Sequence, residues 1–464
     1  MHIHILGVAG TFMAGIALIA RQLGFTVTGS DRNIYPPMST LLEDNGIEFS
    51  NYSKHNIPQQ TDMVVVGNAM SRGNEAVEHI LNERIPFISG PQWLKEHVLT
   101  DRKVIAIAGT HGKTTTTSMV LHILKESGID CGFLIGGIPG NETVSASIGS
   151  EKTFVIEADE YDTAFFDKRS KFLHYCPDIV LLNNLEFDHA DIFDNLESII
   201  RQFHHLVRII PGNGHLIYND DDRNLGTVVD RGCWTKTTKL SSQDSDRQAW
   251  KLITTETDHS QFIISQTNEQ IPIKWALFGK HNALNALGAA CIATQLGISG
   301  NQIKSALETF TLPKRRLQRL SCQSDIIIYE DFAHHPTAIR LTLEALTTRH
   351  PDRRILLAFE PRSNTMSSGV HNGELSLIPE LCNHTFVLTH SKLMWEPLDV
   401  FRNNIPSRVT IYSEPSALIT DIIKSLKKTD VLVLMSNGDF QGIPAIIPKE
   451  IDKCTLLRSH SQQN

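Results

Sequence analysis

Val104-Ile-Ala-Ile-Ala-Gly-Thr-His-Gly-Lys-Thr-Thr-Thr-Thr-Ser-Met119 runs from an apolar segment through two glycines into a lysine and a row of threonines. The apolar run reads as a buried strand. The residues from about Thr114 to Ser127, with Met119, Val120, Ile123 and Leu124 on one face, read as a helix that Gly128 stops. Between strand and helix, Gly109-Thr110-His111-Gly112-Lys113-Thr114 has the makings of a phosphate loop. Its glycines let backbone N–H groups approach an anion, and the helix N-terminus adds positive potential. Lys113 is placed to reach β- and γ-phosphates and Thr114 to reach Mg²⁺. The common pattern G-x-x-x-x-G-K-[ST] fails at its first position, Ile107, so a fixed-pattern search passes over this loop.

At roughly 150 residues per domain, a chain of 464 residues divides into about three. Hydrophobic residues make up 41% and charged residues 20%, and no apolar run approaches the roughly 18 residues of a membrane span, so no membrane insertion is expected. The 43 Lys plus Arg against 51 Asp plus Glu give a net charge of −8, which argues against a broad nucleic-acid surface and makes phosphate binding local. Seven cysteines form an odd set without a Cys-x-x-Cys pair, and the N-terminus reads as a strand rather than a signal peptide. A reduced, cytoplasmic, disulfide-free protein is the expectation.

Outward from the loop, His2-Ile-His-Ile-Leu6 reads as a strand, Gly7-Val-Ala-Gly10 as a turn, and Phe12 to Leu23 as a helix ended by Gly24. Thr26-Val-Thr28 and Met63-Val-Val-Val66 continue the strands, and Pro86 to Leu94 leads to a boundary near residue 99. Thr153-Phe-Val-Ile156 and Asp178-Ile-Val-Leu-Leu182 are buried strands, each followed at once by polar or acidic residues, where open α/β sheets keep their ligands. Residues 230–275 turn polar and are expected to form an antiparallel edge without chemistry. Beyond Leu312-Pro313, apolar strands at 325–329, 354–358, 385–388 and 430–434 alternate with helical stretches as another doubly wound sheet, with a disordered tail after about Lys453. The expected fold class is α/β in three domains, 1–98, 99–312 and 313–464.

Two acidic clusters, Glu157-Ala-Asp-Glu160 and Asn183-Asn-Leu-Glu-Phe-Asp188-His189-Ala-Asp191, end strands of the loop's own domain. Carboxylates suit hard Mg²⁺, and a histidine beside them suits a second, less purely oxygen-ligated site. Phe278-Gly-Lys-His-Asn282-Ala-Leu-Asn285 puts two asparagines three apart on a helix, able to pair with adenine through donor and acceptor, or simply to cap and pack the helix. Pro313-Lys-Arg315-Arg316 offers guanidiniums for phosphate or base stacking, or a solvated turn. Glu330-Asp331-Phe-Ala-His334-His335-Pro336 offers a carboxylate for ribose hydroxyls. A zinc pair at its two histidines is disfavoured, since adjacent side chains point different ways and lack spaced partners.

Taken in order, Gly-Thr-His-Gly-Lys-Thr-Thr115, the Glu157 region, Asp188-His189, Gly279-Lys-His-Asn282-Ala-Leu-Asn285, Arg315-Arg316 and Asp331-Phe-Ala-His-His-Pro336 resemble the Mur ligase family over nearly the whole chain. The resemblance implies a Rossmann-like UDP-binding domain, a central P-loop ATPase-like domain and a C-terminal Rossmann-like domain. It implies ATP and Mg²⁺, with amide formation on UDP-N-acetylmuramate by way of an acyl phosphate. ATP would meet Gly109, Thr110, His111, Gly112, Lys113, Thr114, Thr115, Asn282, Asn285, Arg315, Arg316, Asp331 and His335. Lys113, Glu157, His189 and Arg316 would be catalytic, and Thr114, Glu157 and His189 would hold metal.

The UDP moiety would lie on Gly7, Gly10 and Thr11, with Asp31, 24 residues beyond Gly7, as a ribose-binding acid, and with Asn68 and Arg72 as sugar or phosphate contacts or ordinary loop residues. A nicotinamide-dependent oxidoreductase is disfavoured, since the glycines read G-x-x-G and not G-x-G-x-x-G. Gly7–Met13, Gly67–Asn74, Gly90–Trp93, Asp162–Arg169, Glu360-Pro-Arg-Ser-Asn-Thr-Met366 and Met435-Ser-Asn-Gly438 are similar to the subgroup that adds the tripeptide L-Ala-γ-D-Glu-meso-diaminopimelate during murein recycling. The peptide would meet Arg362, Ser363, Asn364, Thr365, Ser436 and Asn437, with Arg362 pairing a carboxylate or, alternatively, capping a helix. Addition of L-alanine alone, and a regulatory ATP-binding protein, are the alternatives. A monomer or weak homodimer is expected. Several family members carry a carbamylated lysine after the Asp-His pair, whereas here no lysine occurs between Lys171 and Lys236, and the segment offers Arg201, His204 and His205 instead.

Overall fold

Every residue of strand β1 (His2–Leu6) is buried, as a parallel strand covered on both faces requires. Its two histidines are satisfied laterally: His2 and His4 each bond Thr28 Oγ1 at 2.9 Å. A computed structural model describes residues 1–32, 34, 38–243, 249–266, 269–322 and 324–461, without the side chains of 454–461. β1, β2 (Thr26–Ser30), β3 (Glu48–Ser50), β4 (Met63–Val66) and β5 (Phe87–Ser89) form a parallel sheet ordered β3-β2-β1-β4-β5. The strand order reverses between β1 and β4, and Gly7 and Gly67 follow those two strands at the crevice where such sheets bind ligands. The helix Thr11–Gln22 starts directly behind Gly10.

The central sheet contains β6 (Lys103–Ala108), β7 (Gly132–Leu134), β8 (Ala146–Ser147) and β9 (Thr153–Ala158). A separate hairpin, β10 (Asp162–Ala164) and β11 (Asp167–Ser170), precedes β12 (Ile179–Leu182), β13 (His215–Asn219), β14 (Lys236–Ser241), β15 (Trp250–Thr254), β16 (Gln261–Gln266) and β17 (Glu269–Lys274). The ten strands are ordered β17-β16-β15-β14-β13-β12-β6-β9-β7-β8. The expected antiparallel edge over 230–275 is only half right. β14 and β15 join in parallel, β14 by way of the crossover helix Arg223–Asp230, and only β16 and β17 run antiparallel through short connections.

In the third sheet, β18 (Gln318–Leu320), β19 (Ile327–Asp331), β20 (Ile355–Phe359), β21 (His384–Leu388), β22 (Val409–Tyr412) and β23 (Val431–Met435) are ordered β18-β19-β23-β20-β21-β22, parallel except for β18. The two edge strands, three and four residues long, are not among the strands expected from the sequence. The helix Ile443–Ser461 continues past Lys453, against the expectation of a disordered tail. Ile443, Ile447 and Ile451, four apart, bury one face of it against the sheet.

The first sheet and one face of the central sheet share a single apolar cluster that joins Ile3 and Trp93 to Leu134 and Phe154, while the third sheet packs its own two cores. The third unit is closed onto the central one: Ala190 N–H donates to Thr365 Oγ1 at 3.1 Å and Asn364 Nδ2 to Asp191 Oδ2 at 2.8 Å. Among the described residues no helix is long and apolar enough to cross a membrane.

Candidate active site

The row of threonines divides its labour. Thr116, Thr117 and Ser118 turn their hydroxyls back to the carbonyls of Gly112, Lys113 and Thr114 at 2.9, 2.8 and 2.7 Å, which satisfies them inside a buried helix. Thr114 alone faces an acid, donating to Glu157 Oε1 at 3.1 Å. Gly109 and Gly112 hold φ of +145° and +78°, and the helix Lys113–Glu126 starts with neither a side-chain cap nor an acid in its first turn, leaving its N–H groups and positive end toward the cleft.

Residues just after β12 brace this loop. Asn184 Oδ1 accepts His111 N–H at 2.7 Å and Asn184 O accepts Thr110 N–H at 3.1 Å, while Asn183 Nδ2 donates to Asn285 Oδ1 at 2.8 Å. Asn285 therefore stands against the loop, and Asn282 Nδ2 donates to Phe278 O at 2.9 Å from within the same helix. Both asparagines line the cleft. His281 beside them keeps a buried Nδ1 without a hydrogen-bond partner, as does Asn437 with its Oδ1. Both residues line the cleft, and such orphaned polar atoms fit a polar ligand.

A charged row follows. Lys113 Nζ donates to Gly109 O at 2.7 Å and to Glu160 Oε2 at 3.0 Å, and Glu160 Oε1 lies 2.9 Å from His189 Nε2. Burial by itself would lower the Lys113 pKa, but Glu160, Asp159 and Glu157 raise it on balance. Burial likewise opposes the charged forms of Glu160 and His189, yet Lys113 and His189 hold the Glu160 carboxyl below its ordinary value, and Glu160 holds the His189 imidazole above its own. Glu157 is the exception, raised by burial that Lys113 only partly offsets. His189 sits at φ +57°, a left-handed conformation held by its backbone N–H on Asp188 Oδ1 at 2.7 Å.

From the third domain, Arg316 Nη2 approaches Thr114 Oγ1 at 3.3 Å with its guanidinium over the Phe332 ring. Its neighbour Arg315 turns away, binding Glu330 at 2.9 Å and the carbonyls of Ser436 and Gly438. Asp331 accepts the N–H groups of Leu317 and Ala333 at 2.6 and 2.7 Å, which fixes the turn carrying Arg316. Arg362, Ser363, Asn364, Thr365 and Asn437 line one polar cavity with Tyr161, Asp188, His189 and His334. Ser436 is buried beneath it, donating to Glu360 Oε2 at 2.8 Å. Ser363 caps the short helix that follows, and Arg362 Nη1 reaches Asp439 Oδ1 at 2.8 Å.

In the first domain, Asp31 accepts Ala9 N–H at 3.0 Å and the Tyr52 hydroxyl at 3.2 Å beside the Gly7 turn. Asn68 is half-buried after β4. Arg72 is a surface residue whose guanidinium makes a two-pronged pair with Glu78 at 2.9 and 3.1 Å. Arg201, His204 and His205 belong to the helix Leu196–Arg208 and are not among the residues lining the cleft. A lysine does reach the acidic row from upstream: buried Lys171 lies 3.1 Å from Asp159 Oδ2 and over the rings of Phe12 and Tyr161. Lys171, Glu160, Asn183 and His281 went unselected in the sequence, although the last three lie inside the motifs quoted. Their signal was position at a strand end or helix start, not residue type.

Three family models together match most of the chain: the Mur ligase family catalytic domain over residues 2–102, the Mur ligase middle domain over 107–293, and the Mur ligase glutamate ligase domain over 315–438. The UDP-N-acetylmuramate–L-alanyl-γ-D-glutamyl-meso-2,6-diaminoheptandioate ligase of Escherichia coli is 47% identical over 96% of both chains. A murein peptide ligase crystal structure from Psychrobacter arcticus is 42% identical with a TM-score of 0.76, covering 97% of this chain and 99% of that one. The UDP-N-acetylmuramate–L-alanine ligase of Syntrophomonas wolfei is 30% identical over 94% of both chains.

Proposed function

The chain belongs to the Mur ligase family, and on that premise we propose that it is an ATP-dependent ligase joining L-alanyl-γ-D-glutamyl-meso-diaminopimelate to UDP-N-acetylmuramate, with ADP and phosphate as the other products. One observation carries the reading: Tyr161, Asp188, His189, His334 and Asn437 line both the phosphate-loop cleft and the polar cavity of Arg362, so that a phosphorylated acid and an incoming peptide amine meet in one space.

A carboxylate is a poor acyl donor because oxide would have to leave. Transfer of the ATP γ-phosphoryl group to the lactyl carboxylate makes phosphate the leaving group. The peptide α-amine then attacks the carbonyl, the C–N bond forms, phosphate departs and the amine loses a proton. Lys113 and Arg316 offset the charge crowded between two anionic reactants, the main demand of phosphoryl transfer. Thr114 and Glu157, 3.1 Å apart, present the oxygen pair that suits Mg²⁺, and His189 stands on the peptide side of the same cleft. When bound, the metal would supply further charge neutralisation. The closed third domain excludes water from an acyl phosphate.

We assign the UDP pyrophosphate to Gly7, Gly10 and Thr11 in a domain spanning 1–98, ATP to 99–312, and the peptide to 313–464. The reaction fits reuse of murein fragments in the cytoplasm by a monomer or weak homodimer. Of the two acceptors, a cavity of about 840 Å³ lined by Arg362, Asn364, Lys392 and Asp439 favours a peptide over alanine alone. The test is phosphate release from Mg-ATP and UDP-N-acetylmuramate with tripeptide, with L-alanine, or without acceptor. Release and amide product with tripeptide only is expected. Release with L-alanine moves the assignment to the other branch of the family, and acceptor-independent release without amide refutes both.

Arg362→Ala is expected to raise the tripeptide KM by roughly tenfold or more, the scale of one charge-assisted pair, while the ATP KM moves little. Equal effects on both would refute the assignment. Gly438→Ala reaches the same group indirectly. A Cβ there would overlap the Arg362 guanidinium, the mobile end of a side chain, so the arginine must swing aside. Steady-state kinetics should show the same peptide-selective KM rise with an unchanged melting temperature.

A further inference from the structure

The hairpin β10–β11 leaves the catalytic row and returns to it. Glu157, Asp159, Glu160 and Tyr161 come just before it and Lys171 directly after, and Lys171 N–H donates to Tyr161 O at 2.9 Å, so that both residues sit at its open end. Its tip lies on another domain. Phe165 and Phe166 meet Phe87 of the first sheet with ring centroids 6.4 and 5.0 Å apart, and Phe165 packs on the apolar cluster of Leu6, Val64 and Val66. A segment of the central domain is thus seated on the first domain at one end and flanked by cleft residues at the other.

Lys171 spans the same boundary by its charge. The residue is 7% exposed, and its ammonium lies 3.1 Å from Asp159 Oδ2, 5.4 Å from the centroid of the Phe12 ring and 5.5 Å from that of Tyr161. Both rings are within cation–π reach. Phe12 directly follows Thr11 of the first-domain turn, whereas Asp159 and Tyr161 line the phosphate-loop cleft, with the Tyr161 ring centroid 4.0 Å from that of His189. Burial opposes the Asp159 carboxylate, and Lys171, ahead of Lys113 and His189, holds it below its ordinary pKa. Domain docking does not need this charge, since the apolar cluster joining Ile3 and Trp93 to Leu134 and Phe154 already crosses the boundary. A buried ion pair is also a poor source of stability, because desolvation of two charges offsets their attraction. What the lysine adds is direction: one cation fixes where the first-domain turn stands relative to the acidic row.

We propose that Lys171 is a positioning residue that, through Phe12 on one side and Asp159 and Tyr161 on the other, sets the first-domain turn in register with the phosphate-loop cleft. An acid held by its UDP end then presents its carboxylate to the γ-phosphoryl group. The role rests on the ligase reading, and Lys171 acts through its neighbours rather than on the reacting atoms. Binding energy at the UDP end is converted into alignment at the reacting end, where a misplacement of about 1 Å costs on the order of 10²-fold. Because either ligand fixes the register that the other needs, their affinities are coupled, reciprocally and by one factor.

The test is calorimetric titration of the full-length chain with UDP-N-acetylmuramate, without and with a non-hydrolysable Mg-ATP analogue, for the unmodified protein, Lys171→Met and Phe12→Leu. The unmodified protein should bind UDP-N-acetylmuramate at least about fivefold more tightly with the analogue than without it. Each variant should reduce that factor below about twofold while binding either ligand alone within about threefold of the unmodified affinity. The kcat for amide formation should fall about tenfold or more in both variants. A lysine that only holds the fold together would lower the melting temperature and the competent fraction and leave the coupling factor of the remainder unchanged, which overturns the proposal. So does an unmodified protein that forms the amide without coupling. Phe12→Leu, which keeps an apolar side chain and strands no charge, decides the matter should Lys171→Met fail to fold. Absence of amide product from the unmodified protein refutes the ligase reading itself, and the role with it.

Discussion

Lys113→Ala is expected to lower tripeptide-dependent phosphate release by about 10³-fold, the upper end for removal of one preorganised donor. Lys113 is the cation nearest the loop carbonyls, bonded to Gly109 O and Glu160, with its side chain 12% exposed. A second effect follows from the same contacts. Without the ammonium, Glu157, Asp159 and Glu160 face one another with Lys171, His189 and Arg316 as remaining counter-charges, and loss of one partner from a buried pair costs about 3–5 kcal/mol. Calorimetry should show a lower melting temperature. The double variant Lys113→Ala, Glu160→Gln separates the effects, since removing the stranded charge restores stability without restoring activity. Activity above a tenth of the unmodified rate in Lys113→Ala would sink the phosphate-loop assignment. Lys113→Arg should remain inactive, because a planar fork does not replace a compact ammonium.

The second large effect is expected from Gly112→Ala. At φ +78° an alanine pays about 1–2 kcal/mol for its left-handed backbone. Its Cβ would also stand 2.7 Å from Asn285 Oδ1 and 2.9 Å from Asn183 Nδ2, so the hydrogen bond between those two buried amides must open, at about 1–3 kcal/mol. The loss of stability should therefore be roughly 2–5 kcal/mol. Because the loop N–H groups shift with it, phosphate release should fall about 10²-fold or more. Unchanged kinetics and melting temperature would mean that the loop is not braced as described. Asn183→Ala, which leaves Asn285 unpaired, should reproduce part of both losses and thereby tie them to the amide pair.

Much of this was legible in residues alone. The strand, glycine-rich turn and helix at 104–127 were legible because each needs only its near neighbours, and the α/β class follows from apolar runs alternating with helical periodicity. The parallel joining of β14 and β15 was not legible, since strand direction depends on the crossover and not on the strand's own polarity. β18, three residues long, carries no pattern of its own, whereas Val409-Thr-Ile-Tyr412 of β22 has the β-branched and aromatic composition of a strand and was passed over.

Among site residues, Arg316 and Arg315 are neighbours of one chemical type, yet one reaches Thr114 and the other holds the Ser436–Gly438 turn. Arg315 sits at φ +63°, and that backbone turn, not side-chain chemistry, separates their directions. Ser436 lies beneath the polar cavity of Arg362 while Asn437 enters it, a second pair of neighbours turned to different sides. His334 and His335 diverge, as adjacent side chains are expected to: His334 bonds Phe332 O, while His335 meets His111 and Glu186 from more than 140 residues away.

Sequence by itself thus determined the fold class, the strand, loop and helix around Gly109–Lys113 and the family, because these rest on local periodicity and on ordered motifs whose spacing survives in one dimension. Only the tertiary structure decided that Glu160 links Lys113 to His189, that Lys171 reaches the acidic row from upstream, and that Asn183 and Asn285 brace the loop. Those pairings depend on which strand ends the sheet order sets side by side, and loop closure between distant segments leaves no periodic trace in the chain.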